Sequence, residues 1–420
     1  MAKLKEVFVP GGMPSYTYQE RTNAEGKDID LGKKLHSAIN RLRKFISVAG
    51  PTKCGKTVLV RKVVPSNVGI WIEGAHVHSI ADFWNEVHSK IGAATVISTS
   101  SGKGVESSFE EEDSATIRPF GIGAEVKNKT LKKNNETLIE TSEYTISAAH
   151  TALQGLLQRK NTLVIDDFHY ISSEVQTLII RSLKQAVFDG LSVILILIPH
   201  RMHQAATAEM DVDGRTYTLP IPEWRPPELF AIAEIGFREL GVRVKATTIN
   251  ILVQECFQSP HLMQDFCSSM CDDWKVYETN TGVLRTLDFI MGDQNFFERF
   301  AKDTLNPEAF RALQKGPERT NRMERAMKTG GSCDTYQAVL MALKKINVMS
   351  PVRWTDLRKG LQEILIDEPQ QHEVTRVLEK MDEIAKERDG EPVIDYLKKQ
   401  KELHLVDPFF RFYVRWGSQI

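Results

Sequence analysis

Hydrophobic and polar positions along the chain alternate between two periods. Ile46–Ala49, Val68–Ile72, Thr162–Ile165 and Leu191–Ile198 are short apolar runs, each bounded by turn residues or charges. Unbroken runs of that length read as strands covered on both faces, hence as a parallel sheet. Between and around them the apolar spacing is helical, and it predicts helices over 30–42, 80–91, 147–159 and 173–189. Leu31, Leu35, Ile39 and Leu42 fall on one face of the first. Strand and helix alternate as far as residue 227, which predicts an α/β layer. From Pro226-Pro227-Glu228 onward the spacing is almost wholly helical, with helices over 228–240, 248–257 and from Pro260 at a helix start. Three more are expected over 336–345, 352–363 and 372–388. A hairpin and a closing aromatic element follow, over 392–398 and 402–416.

Three stretches break the rhythm. Residues 7–21 carry Pro and Gly and are expected to be extended. Two readings stand for them: a strap across the surface, or a segment whose Tyr16, Tyr18 and Arg21 meet a bound base. Residues 93–145 are rich in Ser, Thr, Gly and Lys and hold the run Glu110–Asp113, the mark of an insertion. Residues 300–332 are polar, with Lys315, Arg319, Arg322, Arg325 and Lys328 and a Gly330-Gly331 break. They read as a linker helix with a solvated basic face and a hinge.

Composition narrows the class. The formal net charge of −1, with 26% charged residues, excludes a globally basic or acidic chain. The five cysteines form no even framework, and Cys267-x-x-x-Cys271 has no second ligand pair nearby. It marks one face of a buried helix rather than a zinc site. Free thiols, no leader pattern and no apolar run of membrane-spanning length point to a cytoplasmic protein without a membrane partner.

The chemistry sits at two strand ends. Gly50-Pro51-Thr52-Lys53-Cys54-Gly55-Lys56-Thr57-Val58 follows the first apolar run and opens a helix. Strand, Gly-x-x-x-x-Gly-Lys-Thr and helix together form the phosphate-binding loop pattern. Its glycines let backbone N–H groups close on phosphate oxygens, and the helix start adds partial positive charge. Lys56 is expected on the β- and γ-phosphates and Thr57 on Mg²⁺. About 110 residues further on, an apolar strand ends in Asp166-Asp167. Asp166 is placed to hold Mg²⁺, and Asp167 to orient the attacking water. His200 and Arg201, at the end of 191–198, are placed to read the terminal phosphate. Arg215, before a strand that ends Leu-Pro-x-Pro, is a candidate to act on a neighbouring subunit's nucleotide. Its alternative is a surface ion pair. His261 is a candidate phosphate contact from the helical part.

Through Gly50–Thr57, Asp166-Asp167, Pro199-His200-Arg201 and Ser259-Pro260, the chain resembles the AAA+ and STAND P-loop ATPases, most closely the archaeal-type and origin-recognition-like group. Val406-Asp-Pro-Phe-Phe-Arg-Phe-Tyr-Val-Arg-Trp416 is similar to the ending of archaeal-type ATPase winged-helix domains. The resemblance implies an α/β P-loop core of the additional-strand type, a helical lid and a C-terminal winged-helix domain. On it, residues 1–30 form an extended segment, 31–227 the core with 93–145 inserted, 228–299 the lid, 300–335 a linker and 336–420 the winged helix. It implies ATP and Mg²⁺ as ligands, with Tyr18, Pro260 and His261 beside the nucleotide. Ser259-Pro260 departs from the family's Gly-x-Pro. Asp-Asp in place of Asp-Glu is similar to slow-switching signalling ATPases. Two functions follow from it. One is a homo-oligomerising ATPase switch that acts through a separate effector or sensor protein, as in antiphage defence. The other is an ATPase that loads or remodels proteins on DNA, which keeps nucleic acid open as a partner.

Overall fold

The computed structural model describes residues 1–41, 43–92, 149–198, 215–282, 285–287, 294–305, 307–317, 323–346, 348–349, 351–388 and 392–417. The expected insertion at 93–145, His200, Arg201, Arg319 and Arg322 lie outside them. The chain forms two compact units: Leu31–Ala49 with Leu59–Pro220, and Met1–Asp30 with Gly50–Val58 and Ile221–Ile420.

The first unit is built on five parallel strands: β1 (Phe45–Ala49), β2 (Ile70–Glu73), β3 (Leu163–Asp166), β4 (Val193–Leu197) and β5 (Thr216–Pro220). Their order across the sheet is β2-β3-β4-β1-β5. Every residue of β1, β3 and β4 is buried, as continuous apolar strands between two helical layers require. β2 begins two residues later than its apolar run predicts. The amides of Val68 and Gly69 turn back to the Pro65 carbonyl, which leaves Val68 57% exposed. Helices Ile80–Ile91, 149–159 and Ser173–Phe188 cover the sheet. Phe83, Trp84, Leu156, Ile179 and Leu183 meet Phe45, Ile72, Ile165 and Leu195 in one core.

The register fixes the chemistry-bearing ends. Ala49 pairs with Leu197, and Ile165 with Leu195. Asp166 therefore lies at the same sheet edge as Ala49, two strands away, or about 10 Å across the hydrogen-bonding direction. This β1–β5 order, with the glycine loop leaving β1 and two acids ending β3, is the core of a P-loop NTPase with the additional strand between them.

The second unit is mainly helical. Helices Pro226–Glu239, Ala246–Glu255 and Pro260–Asp273 pack together, and Pro260 stands at the first turn behind a Ser259 cap whose hydroxyl accepts from the Leu262 amide. The N-terminal segment forms a short helix at Leu4–Val7, which takes in Val7 of the stretch expected to be extended, then runs through turns and bends at 10–12 and 15–17, and lies on these helices. Phe8 packs on Phe237 at 5.3 Å, and a Cβ on Gly236 would come within 2.3 Å of the Phe8 ring. Cys267 and Cys271 are wholly buried on helix Pro260–Asp273.

The expected linker is differently built. Helices Gln294–Thr304 and Glu308–Lys315 occupy it. Phe296, Phe297 and Phe300 surround Phe266 and Phe412, while Phe310 and Leu313 are buried. Arg325 and Lys328 do not share a helix face. Arg325 stands in a small hairpin with Ser332–Cys333, paired with Glu373, and Gly330 and Gly331 turn that hairpin at φ +91° and +80°. Helices Thr335–Lys345, Trp354–Ile364 and Gln371–Glu387 follow, with a hairpin of Ile394–Leu397 and Glu402–Leu405 that takes Val352–Arg353 as its third strand. Pro408–Phe412 is a short helix that continues into a π-helical turn at Tyr413–Gly417.

Candidate functional site

The loop Gly50–Val58 lies in the helical unit. Gly55 takes φ +90°, a left-handed conformation, and Lys53 takes φ +57°. Lys56 begins the next helix and is buried. Its ammonium donates to the loop's own carbonyls at Gly50 (2.9 Å) and Pro51 (2.8 Å). Among the described residues it has no carboxylate partner. A buried ammonium held by two carbonyl dipoles alone is poorly compensated and fits an anion as its missing partner. Thr52 Oγ1 is likewise buried without a hydrogen-bond partner. These two observations, with the open glycine loop, fit a polyphosphate, and Thr57 at the helix start is half-buried beside Lys56.

In the sheet unit, Asp166 ends β3 and is buried, while Asp167 is half-buried. Asp167 takes φ 50°, ψ 41°, a left-handed turn that aspartate tolerates. Its amide donates to Asp166 Oδ1 at 3.0 Å. The turn rests on Gly74, where a Cβ would come within 2.4 Å of the Asp167 carbonyl oxygen. Gln176 braces the next turn by donating to the Phe168 and Ile171 carbonyls. Asp166 and the β1 end share one edge of the sheet. Arg215 lies at the other edge, exposed, with its carbonyl accepting from the Phe45 amide at the start of β1.

Lys53, expected in the phosphate loop, directs its side chain elsewhere. Its ammonium pairs with Asp407 at 2.8 Å and lies 4.1 Å from the Phe409 ring centre. His261 packs edge-on against the same ring at 4.9 Å, and its Nε2 is 3.5 Å from Asp265 Oδ2. Burial, then the Lys53 charge, depresses His261 to about 4. Burial raises Asp265 to about 7, with Lys53 opposing. The residue pattern singled out His261 as a phosphate contact and did not connect it with Phe409 or Asp265; the i+4 spacing from His261 to Asp265 was the available signal. Tyr18 is half-buried, its hydroxyl pushed up to about 12 by burial and by Glu20.

Arg21 is not available to a base. It pairs with Glu228 at 3.3 Å, donates to the Pro222 and Glu223 carbonyls and lies 4.3 Å from the Trp224 ring centre. The sequence pattern missed Trp224 and Glu228 altogether.

The His261–Asp265 pair carries a pH signature. Asp265 binds its proton up to about pH 7 when folded, against an ordinary value of 3.8. Its stabilising contribution is therefore complete below 3.8 and lost as pH rises through 7. His261 acts oppositely between about 4 and 6.5. Asp265→Asn is expected to melt higher than wild type at pH 8, with the difference closing towards pH 4. Thermal melts of both proteins across that range check it.

No protein-family model matches the chain, and no curated protein sequence does. Among solved structures, a Walker-type ATPase of Pyrococcus abyssi is 14% identical over 95% of this chain and 99% of its own, with a TM-score of 0.48. The Cdc6p protein of Pyrobaculum aerophilum is 10% identical over 97% and 95%, with a TM-score of 0.42. A STAND protein with a tetratricopeptide repeat sensor from Pyrococcus horikoshii is 12% identical over 92% of this chain and 42% of its own, with a TM-score of 0.36. The class itself rests on this chain's own strand order and motif, which are those of a P-loop NTPase core. Among the described residues, no helix is long and apolar enough to cross a membrane.

Proposed function

We propose that this protein binds and hydrolyses MgATP, and that ATP drives a switch between separate and assembled subunits that acts through a partner protein. The carrying observation is the buried Lys56, whose charge meets, among the described residues, the Gly50 and Pro51 carbonyls and no carboxylate. Lys56 and Thr57 would hold the phosphates and Mg²⁺, Asp166 the metal and Asp167 the attacking water. When bound, Mg²⁺ would neutralise charge building on the terminal phosphate. Residues 336–420 are read as a winged helix.

A protein partner is favoured over DNA by that domain's third helix. Three of the four cations on or at the end of that helix are already paired, Lys380 with Glu383, Lys386 with Asp382 and Asp395, and Arg388 with Glu308, while Arg376 is exposed. Phosphate binding needs uncommitted cations. Antiphage defence is the setting proposed for such a switch, on the Asp166-Asp167 pair.

Turnover of the purified protein across its concentration, with and without double-stranded DNA, tests this reading. Slow turnover that rises with concentration and ignores DNA supports it. Stimulation by DNA that fades with salt would replace it with the DNA-remodelling function.

Arg215 is assigned a role in trans, against the alternative of a surface ion pair. Four residues of strand separate Phe45 from Ala49, about 13 Å, so it sits at the far edge from its own Asp166. Arg215→Ala is expected to keep assembly, measured by light scattering, yet turn over at the rate of dilute wild type at every concentration. Wild-type turnover when assembled would remove Arg215 from the mechanism.

A further inference from the structure

Residues 221–224 hold the phosphate loop from one side. A Cβ on Gly50 would come within 2.8 Å of Ile221 Cβ and 3.0 Å of the Cys54 sulfur. Trp224, 8% exposed, donates its indole N–H to the Cys54 carbonyl at 2.8 Å. Arg21 anchors this turn through the Pro222 and Glu223 carbonyls and across the Trp224 ring. Glu228 anchors Arg21 and also accepts from the Thr22 and Arg225 amides.

The Cys54 carbonyl belongs to the peptide that precedes Gly55. That peptide is planar and trans, so its N–H points opposite to its C=O. Fixing the carbonyl on the indole fixes the Gly55 N–H away from it. Gly55, at φ +90°, has no steric preference of its own to hold that direction. The loop's amides bind phosphate only when they converge, so an external hold on this peptide replaces the rigidity that glycine lacks.

We propose that Trp224 is a positioning residue for the phosphate loop, acting through the Cys54 carbonyl and itself seated by Arg21. This deepens the nucleotide-binding reading and rests on it. Its reach is to the polyphosphate and not to the base.

The test is Trp224→Phe, which keeps an aromatic ring and loses the N–H. Calorimetric affinities for inorganic tripolyphosphate and for ATP are compared in wild type, Trp224→Phe and Lys56→Ala. Loss of one buried hydrogen bond at the loop is expected to weaken both ligands by the same factor, about tenfold. The melting temperature should stay within a few degrees of wild type. A folded Trp224→Phe protein that binds tripolyphosphate like wild type, while Lys56→Ala does not bind, overturns the inference and leaves the nucleotide reading standing. Weakened ATP with unchanged tripolyphosphate also overturns it, because the indole would then serve the base. A folded wild type that binds neither ligand overturns the reading itself. Should Trp224→Phe fail to fold, Arg21→Lys gives the second measurement. It keeps the charge beside Glu228 and loses the flat group over Trp224, and is expected to weaken both ligands equally by a few-fold.

Discussion

Lys56→Ala is expected to bind MgATP about a hundredfold more weakly than wild type, since charge-assisted hydrogen bonds to phosphate are the strongest contacts available to this loop. In the structure the ammonium is buried and, among the described residues, bonded to the Gly50 and Pro51 carbonyls alone. Alanine removes a buried charge that lacks a carboxylate, so folding should suffer little and could gain. Loss of binding with unchanged or raised melting temperature is the signature of a functional lysine. Titration calorimetry and a thermal melt on one sample give both readings. Wild-type affinity in Lys56→Ala would show that Gly50–Val58 is a tight turn with no ligand.

Asp166→Asn is expected to lower kcat a hundredfold or more while ATP binding without Mg²⁺ is retained. A metal-holding carboxylate supplies several kcal/mol of charge stabilisation in the transition state, and each 1.36 kcal/mol is about a factor of ten. Asn keeps the shape and one oxygen, so the Asp167 amide can still find an acceptor where Asp166 Oδ1 now stands at 3.0 Å. The measurement is turnover against Mg²⁺ concentration, beside nucleotide affinity in a chelator. Equal loss of affinity with and without metal would make Asp166 a structural end of β3. Asp167, turned into the left-handed region and held over Gly74, is then the residue to change next.

Much of the candidate site's framework was legible in the order of residues. Gly50–Thr57 stands out because two glycines, a lysine and a hydroxyl fall at the phosphate-loop spacing between a strand and a helix. The strand that ends at Asp166 was equally plain, since a short apolar run that stops at two acids reads as a buried strand. The helices over Ile80–Ile91 and from Pro260 were readable for similarly local reasons, an apolar stripe in one and a Ser–Pro start in the other. The basic stretch at 315–328 was misleading: charge spacing does not reveal that Arg325 is in a hairpin opposite Glu373.

The sequence by itself determined the buried parallel strands, the glycine loop between strand and helix and the class of the core, because those depend on neighbours within a few residues. Tertiary structure alone decided how the loop is held. Cys54 and Trp224 stand 170 positions apart, and Lys53 and Asp407 354 apart. No periodicity connects such residues. Nor could composition assign Arg21 to Glu228 rather than to a bound base. Those partnerships arise when burial leaves each polar group one direction in which it can be satisfied, and that direction exists only in the folded chain.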